Sequence, residues 1–195
     1  MEAYLTSPRK VYEEDTCQGI PTVYVDGCSC HVDSNGGKEL VAGIGNDWVN
    51  DTPDPSAGYK IGLRSSQVAE LMAVYQAILT AVHHKLKELV IITDSDYVRN
   101  GFVEHLINWK NRGIFCANNK PLKHSKLIQS IGDLVTINEM TIYWKKIRGH
   151  SKREAPDKTG NDLTDQLAKT RALQWDFIET EFLLNEIYMA AVTRS

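Results

Sequence analysis

Two apolar runs each lead into an aspartate. Thr22-Val23-Tyr24-Val25 runs into Asp26-Gly27, and Leu89-Val90-Ile91-Ile92-Thr93 runs into Asp94-Ser95. Apolar, β-branched runs bounded by turn signals read as buried strands, and α/β sheets place their sites at strand ends. Gly27 allows a sharp turn beside the first carboxylate. One such Asp is ordinarily a turn former or a helix N-cap. Two on neighbouring strands are like charges facing each other, and each raises the other's pKa unless a cation sits between them. The chemistry open to this pair is therefore cation-assisted. Glu70 falls in the first turn of a helix, where it either favours the helix dipole or points towards those strand ends. Asp162 and Asp165 fall in the first turns of a last helix, with Asp162 a competing carboxylate or a dipole partner.

The elements that must position these acids follow from periodicity. Met1 to Gly19 is polar and reads as a tail or linker, so residues 1–20 are set apart from a domain over 21–173. After the first strand, Asn35-Gly36-Gly37 signals a turn, Leu40 to Val49 a second strand and Tyr59-Ile61-Leu63 a third. Gly43 and Gly45 share one strand face and would admit another backbone or a ligand. Ser65 or Ser66 offers an N-cap to a helix with Val68, Leu71, Met72, Tyr75, Ile78, Leu79 and Val82 at helical spacing, and His83 and His84 cap its far end. Tyr97 to Trp109 reads as helical and Leu122 to Val135 as a helix. Thr141 to Trp144 reads as a fifth strand, and Ser151 to Gly160 as a mobile loop. Trp175 to Val192 would make a helical C-terminal extension over 174–195.

The chain's 195 residues suit one domain with appendages, and 42% hydrophobic with 24% charged residues fits an ordinary globular protein. No apolar run is long enough to span a bilayer, and Met1 to Lys10 has no apolar core of a secretory signal. The expected location is intracellular, in cytoplasm or nucleus, with no membrane partner and no small-molecule cofactor. Cys17, Cys28, Cys30 and Cys116 lack paired metal-ligand spacing and are expected as reduced thiols. A net charge of −3 announces no polyanion partner. Its distribution says more, because His105 to Gly132 holds no acid but carries Lys110, Arg112, Lys120, Lys123 and Lys126. Lys145, Lys146, Arg148, Lys152 and Arg153 form a second basic window. Such windows beside an acidic site suit a nucleic acid, although a charge run is more commonly just a solvated face.

Five motifs in this order carry a resemblance: Tyr24-Val-Asp-Gly27, Ala69-Glu-Leu71, Thr93-Asp-Ser95, Arg148-Gly-His150 and Gly160-Asn-x-x-x-Asp165. Over Pro21 to Leu173 the chain resembles ribonuclease H of the type 1 class, cellular or from retroviral reverse transcriptases. The resemblance implies a five-stranded mixed α/β sheet of three antiparallel strands then two parallel ones, flanked by helices and carrying a basic helical protrusion. It selects Asp165 over Asp162, four residues after Asn161, and completes a catalytic set of Asp26, Glu70, Asp94, Asp165 and His150. His150 would shuttle protons and help product leave. Trp109 to Lys126 would be the protrusion that grips a hybrid, with Trp109, Lys110, Arg112 and Lys123 as contacts. A linker-like start and the tail after Leu173 tilt the resemblance towards a retroelement domain within a larger reverse-transcriptase polyprotein. Ser65-Ser66-Gln67 departs from the Asn or Thr groups that family members often carry there.

Four converging carboxylates are hard ligands that suit Mg²⁺, with Mn²⁺ as a substitute, whereas zinc would favour His and Cys. Two ions clamping the attacking and leaving oxygens would let water hydrolyse the RNA strand of an RNA/DNA hybrid, leaving 5′-phosphate and 3′-hydroxyl ends. The 2′-OH marks the RNA strand, and Gly27, Cys28 and Ser29 with the Ser65, Ser66 and Gln67 turn could read it. The rival readings are a nuclease of the same scaffold with another substrate and a non-catalytic nucleic-acid-binding module. Loss of a carboxylate would mark the latter.

Overall fold

The computed structural model describes residues 10–11, 17–34, 36–49, 57–62, 64–105, 124–147 and 156–173. Among these, β1 (Lys10–Val11), β2 (Thr22–Ser34), β3 (Gly37–Val49), β4 (Ala57–Gly62), β5 (Glu88–Thr93) and β6 (Thr141–Lys146) form one sheet in the order β1-β6-β5-β2-β3-β4. The helices are α1 (Ser66–His83), α2 (Asp96–Asn100), α3 (Ser125–Ile137) and α4 (Pro156–Leu173), and a π-helical turn, Gly101–His105, follows α2. The expected α/β sheet is present: β2, β3 and β4 pair antiparallel, and β5 and β6 join parallel. Two residues from the stretch expected as a tail add a sixth, parallel strand on β6. Two residues are too few for periodicity to reveal, yet they pair with backbone groups that β6 would otherwise leave as an edge.

Strand alternation divides the chain between two layers. Val23, Val25, Ala42, Ile44, Leu89, Ile91 and Trp144 face the larger core with α1 and α3. Tyr24, Val90, Ile92 and Tyr143 face the other side, where Cys17 and Ile20 pack on them. Alanines at 69, 73, 77 and 81 give α1 a flat, fully buried face against the sheet. Phe102, in the π-helical turn, stacks on Trp144 with ring centroids 5.1 Å apart and planes 6° from parallel.

Several boundaries differ from expectation. Asp26 does not end a strand, because β2 runs on to Ser34, thirteen residues in all, paired along its whole length with β3. Gly27 is accordingly a strand residue opposite Ile44, and no sharp turn occurs there. What stops near Asp26 is the pairing with β5, which ends at Tyr24 opposite Ile92. Asp26 and Asp94 each lie two residues beyond that last pair. Helix α4 starts at Pro156, where the expected loop would still run, since proline's fixed φ and missing N–H suit a first helical turn. Asp165 therefore sits in mid-helix, far from the N-terminal dipole. The stretch read as helical from Tyr97 keeps α-geometry only to Asn100 before the π-helical turn. Of the described helices, none is long and apolar enough to cross a membrane. The segments at 106–123, 148–155 and 174–195 lie outside the described residues.

Candidate active site

Glycines let three elements meet at Asp26. A Cβ on Gly27 would collide with the backbone of Ala69 and Glu70, so this glycine lets α1 lie directly against β2. On the other face, a Cβ on Gly43 would stand 2.6 Å from Ala172 N and one on Gly45 3.1 Å from Ala168 N. A Cβ on Gly58 would meet the Arg171 side chain at 2.7 Å. The shared face of Gly43 and Gly45 thus receives the backbone of α4, one of the two outcomes their spacing allows. Gly45 lies opposite Asp26 across the hairpin, and Tyr24, on the Asp26 side of β2, takes Gly160 of α4 against its ring. Docked this way, α4 carries Asp165 to the Asp26 side.

The ends of β5 and α1 are fastened by one hydroxyl. Ser95 is the N-cap of α2: its Oγ accepts from Val98 N at 3.2 Å, and its own N–H donates to Thr93 Oγ1 at 3.1 Å. The same Ser95 hydroxyl donates to Glu70 Oε2 at 2.6 Å. Asp94, held between Thr93 and Ser95, is thereby set beside Glu70. Glu70 itself lies in the second turn of α1 rather than the first, since the helix opens at Ser66 after its N-cap Ser65. Asp26 accepts from Gly27 N at 2.7 Å. Lys169 Nζ donates to Asp165 Oδ2 at 2.5 Å, one turn along α4.

Electrostatics show that the acids share a neighbourhood. The Asp26 carboxyl is pushed from its ordinary 3.8 up to about 7, chiefly by burial and then by the charges of Asp94, Asp165 and Glu70, against the pull of the Gly27 N–H. Burial also raises Glu70, and Asp94 adds to the rise while the Ser95 hydroxyl opposes it. Asp162 is exposed and takes no part in perturbing Asp26. The Cys28 thiol rises to about 11 through burial and the Asp26 charge, so it is a protonated thiol at neutral pH. Among the described residues, no three His, Cys, Asp or Glu side chains already stand close enough to hold a metal ion. Three of the acids are instead drawn to local partners: Gly27 N–H, the Ser95 hydroxyl and the Lys169 ammonium. An oxygen-only set in which burial, reinforced by like charges, lifts one member to about 7 fits a hard divalent cation.

The structure thus sets Glu70 of α1, Asp94 of the β5–α2 junction and Asp165 of α4 within electrostatic reach of Asp26 on β2. Gly27 is buried beside Glu70, Cys28 and Ser29 are half-buried further along β2, and Ser65, Ser66 and Gln67 open α1 just before the backbone that abuts Gly27. His150, Trp109, Lys110, Arg112 and Lys123 lie outside the described residues. Sequence reasoning missed Ser95, Lys169 and Asn46. Asn46 is buried, and with its amide oriented to suit its surroundings it donates to Ala73 O at 3.2 Å and accepts from Ala77 N at 3.2 Å, tying β3 to α1. Ser95 was findable as a serine at a strand-to-helix junction, and Lys169 as a cation one helical turn from Asp165.

Comparison with known proteins gives a consistent picture. The RNase H family model matches residues 19–173. The chain is 32% identical over 173 residues to mouse Ribonuclease H1, covering 87% of this chain and 57% of that protein. It is 37% identical over 99 residues to a Ribonuclease H of Pseudomonas putida, covering 51% of this chain and 61% of the relative. It therefore spans between half and two thirds of the curated relatives it matches. Among solved structures, prototype foamy virus protease-reverse transcriptase aligns with a TM-score of 0.69 at 26% identity, over 87% of this chain and 23% of that one. The solution structure of the RNase H domain of the same virus aligns with a TM-score of 0.64 at 26% identity, over 78% and 93% of the two chains. The family model spans the whole run from the first β2 residues to the last turn of α4, and the chain belongs to the ribonuclease H family, type 1 class.

Proposed function

We propose that this domain hydrolyses the RNA strand of RNA/DNA hybrids, using two divalent ions and leaving 5′-phosphate and 3′-hydroxyl ends. One observation carries the reading: Glu70 of α1, Asp94 just after β5 and Asp165 of α4 lie close enough to Asp26 of β2 for their charges to add to the rise that burial gives it, to about 7. Asp26, Glu70, Asp94 and Asp165 would hold Mg²⁺ or Mn²⁺. Once bound, such ions supply activation of water and stabilisation of charge at the leaving 3′ oxygen. The chain's own part is positional. Gly27 and the glycines of β3 keep the carrier backbones in contact, and Ser95 orients Glu70. Gly27 to Ser29 and Ser65 to Gln67 would read successive 2′-OH groups, while Trp109, Lys110, Arg112 and Lys123 would hold the DNA strand through its phosphates. His150 would move protons and assist product release. The names of the mouse and bacterial relatives support hybrid hydrolysis, and the foamy virus likeness supports a reverse-transcriptase polyprotein as the larger context. We place the activity inside the cell, where the thiols of Cys17, Cys28 and Cys30 stay reduced.

Labelled RNA/DNA hybrid, DNA duplex and single-stranded RNA, each incubated with Mg²⁺, test the substrate class. The expected outcome is cleavage confined to the RNA of the hybrid. Comparable cleavage of the DNA duplex would favour another nuclease on this scaffold, and binding without cleavage would favour a binding module.

A further inference from the structure

We propose that Lys169 is a positioning residue: its ammonium serves as an internal counter-ion for Asp165 and must be displaced before Asp165 can take a divalent cation. The inference rests on the metal-site reading above and deepens it.

The site acids are held by chemically different partners. Asp26 accepts from the Gly27 N–H and Glu70 from the Ser95 hydroxyl, both neutral donors that engage one carboxylate oxygen. A neutral donor does not repel an incoming cation, so neither bond has to break for the other oxygen to ligate. Asp165 is engaged by a full positive charge, with Lys169 Nζ 2.5 Å from Oδ2. A divalent ion on this carboxylate would meet that charge at close range, and at such separations like charges repel appreciably even in water.

The geometry lets the side chain yield while the helix stays. Backbone contacts to Gly43 and Gly45 seat the carrier helix on β3, so Asp165 cannot swing away with α4. Lys169 is 54% exposed against 23% for Asp165, so its flexible stem can turn into solvent. An exposed i,i+4 ion pair contributes little to stability, so its opening is inexpensive. Lys169 thus acts as a weak latch that keeps Asp165 paired without metal and lowers cation affinity at this corner of the site.

The test is calorimetric titration of the intact protein with Mn²⁺ alone, without nucleic acid. Lys169→Met should bind Mn²⁺ about three- to tenfold more tightly than the parent, as expected for removing a nearby, partly screened charge. Lys169→Arg, which keeps the charge within reach of Asp165, should stay close to the parent. In an Asp165→Asn background the Lys169→Met effect should vanish, because the two substitutions act through one interaction. If Lys169 is only a surface ion pair, Lys169→Met lowers thermal stability slightly and leaves Mn²⁺ affinity unchanged, which overturns the proposal. If the parent shows no Mn²⁺ binding that Asp26→Asn removes, the metal-site reading fails, and this inference with it.

Discussion

At the scale of single residues, Asp26 carries a measurable cost. Its pKa in the folded chain is about 7 against an ordinary 3.8. Between those values the folded state binds more protons than the unfolded state, so metal-free stability falls as pH rises through this window and levels off above it. Glu70 is shifted in the same direction and adds to the slope. Thermal unfolding in EDTA should therefore show a Tm several degrees higher near pH 5 than near pH 8. Asp26→Asn should flatten most of this dependence. A divalent ion held by these carboxylates would compete with the proton for the same oxygens, so stabilisation by Mg²⁺ should grow with pH. A parent protein in EDTA whose Tm does not fall between pH 5 and pH 8 would contradict the burial of Asp26 among other acids. A second comparison concerns Asp162 and Asp165 on α4. Asp165→Asn should reduce hybrid cleavage by about a hundredfold or more, on the scale of losing a preorganised charged group. Asp162→Asn should stay within about threefold of the parent, because its carboxylate is exposed and away from Asp26. Rate measurements at saturating Mg²⁺ check this, and equal losses would remove the case for Asp165.

At the scale of elements, the glycines place the site. Gly45 lies opposite Asp26 and receives α4 backbone on its empty face. Gly45→Val would force that helix outward, costing roughly 1–3 kcal/mol as overpacking does and moving Asp165 with it. Urea unfolding should show the stability loss, and cleavage should fall by more than stability alone explains. A stable variant with unchanged cleavage would mean that α4 is not set by this packing. The same elements show what was legible in the chain. The apolar runs before Asp26 and Asp94, the helix bearing Glu70 and the glycine pair at 43 and 45 are local patterns, and the folded elements follow them. The true extent of β2 was hidden because Gly27 and the small polar residues after it look like a turn, and only pairing with β3 keeps them extended. The start of α4 was hidden because Pro156 and charged neighbours read as a loop, though proline suits a first helical turn. The Ser95–Glu70 bond spans 25 residues and depends on two separate elements docking, which no spacing rule reveals.

At the scale of the molecule, an acidic site sits in a chain whose net charge is −3. A polyanionic substrate needs compensating charge, and on the proposed reading the acid-free run from His105 to Gly132 would supply it. Replacing Lys110, Arg112 and Lys123 together by Ala should weaken hybrid binding while leaving turnover at saturating hybrid nearly intact. The slope of log affinity against log salt should become shallower by about one unit for each phosphate that the variant no longer neutralises. Hybrid affinity measured in Ca²⁺ at several salt concentrations checks this, and an unchanged slope would mean that these charges are only solvated.

On the proposed reading, Asp26, Glu70, Asp94 and Asp165 form one metal site that cuts the RNA of a hybrid. Its most direct test follows 5′-labelled RNA within a hybrid, with Mg²⁺ and with EDTA, for the parent protein and Asp94→Asn in parallel. The expected result is RNA fragments from the parent in Mg²⁺ only, with none above background from Asp94→Asn. That variant should remain folded, at or above the parent's metal-free Tm, since one like charge has been removed from around Asp26. Cleavage that persists in EDTA, or a folded Asp94→Asn that cuts at the parent's rate in saturating Mg²⁺, would contradict the account.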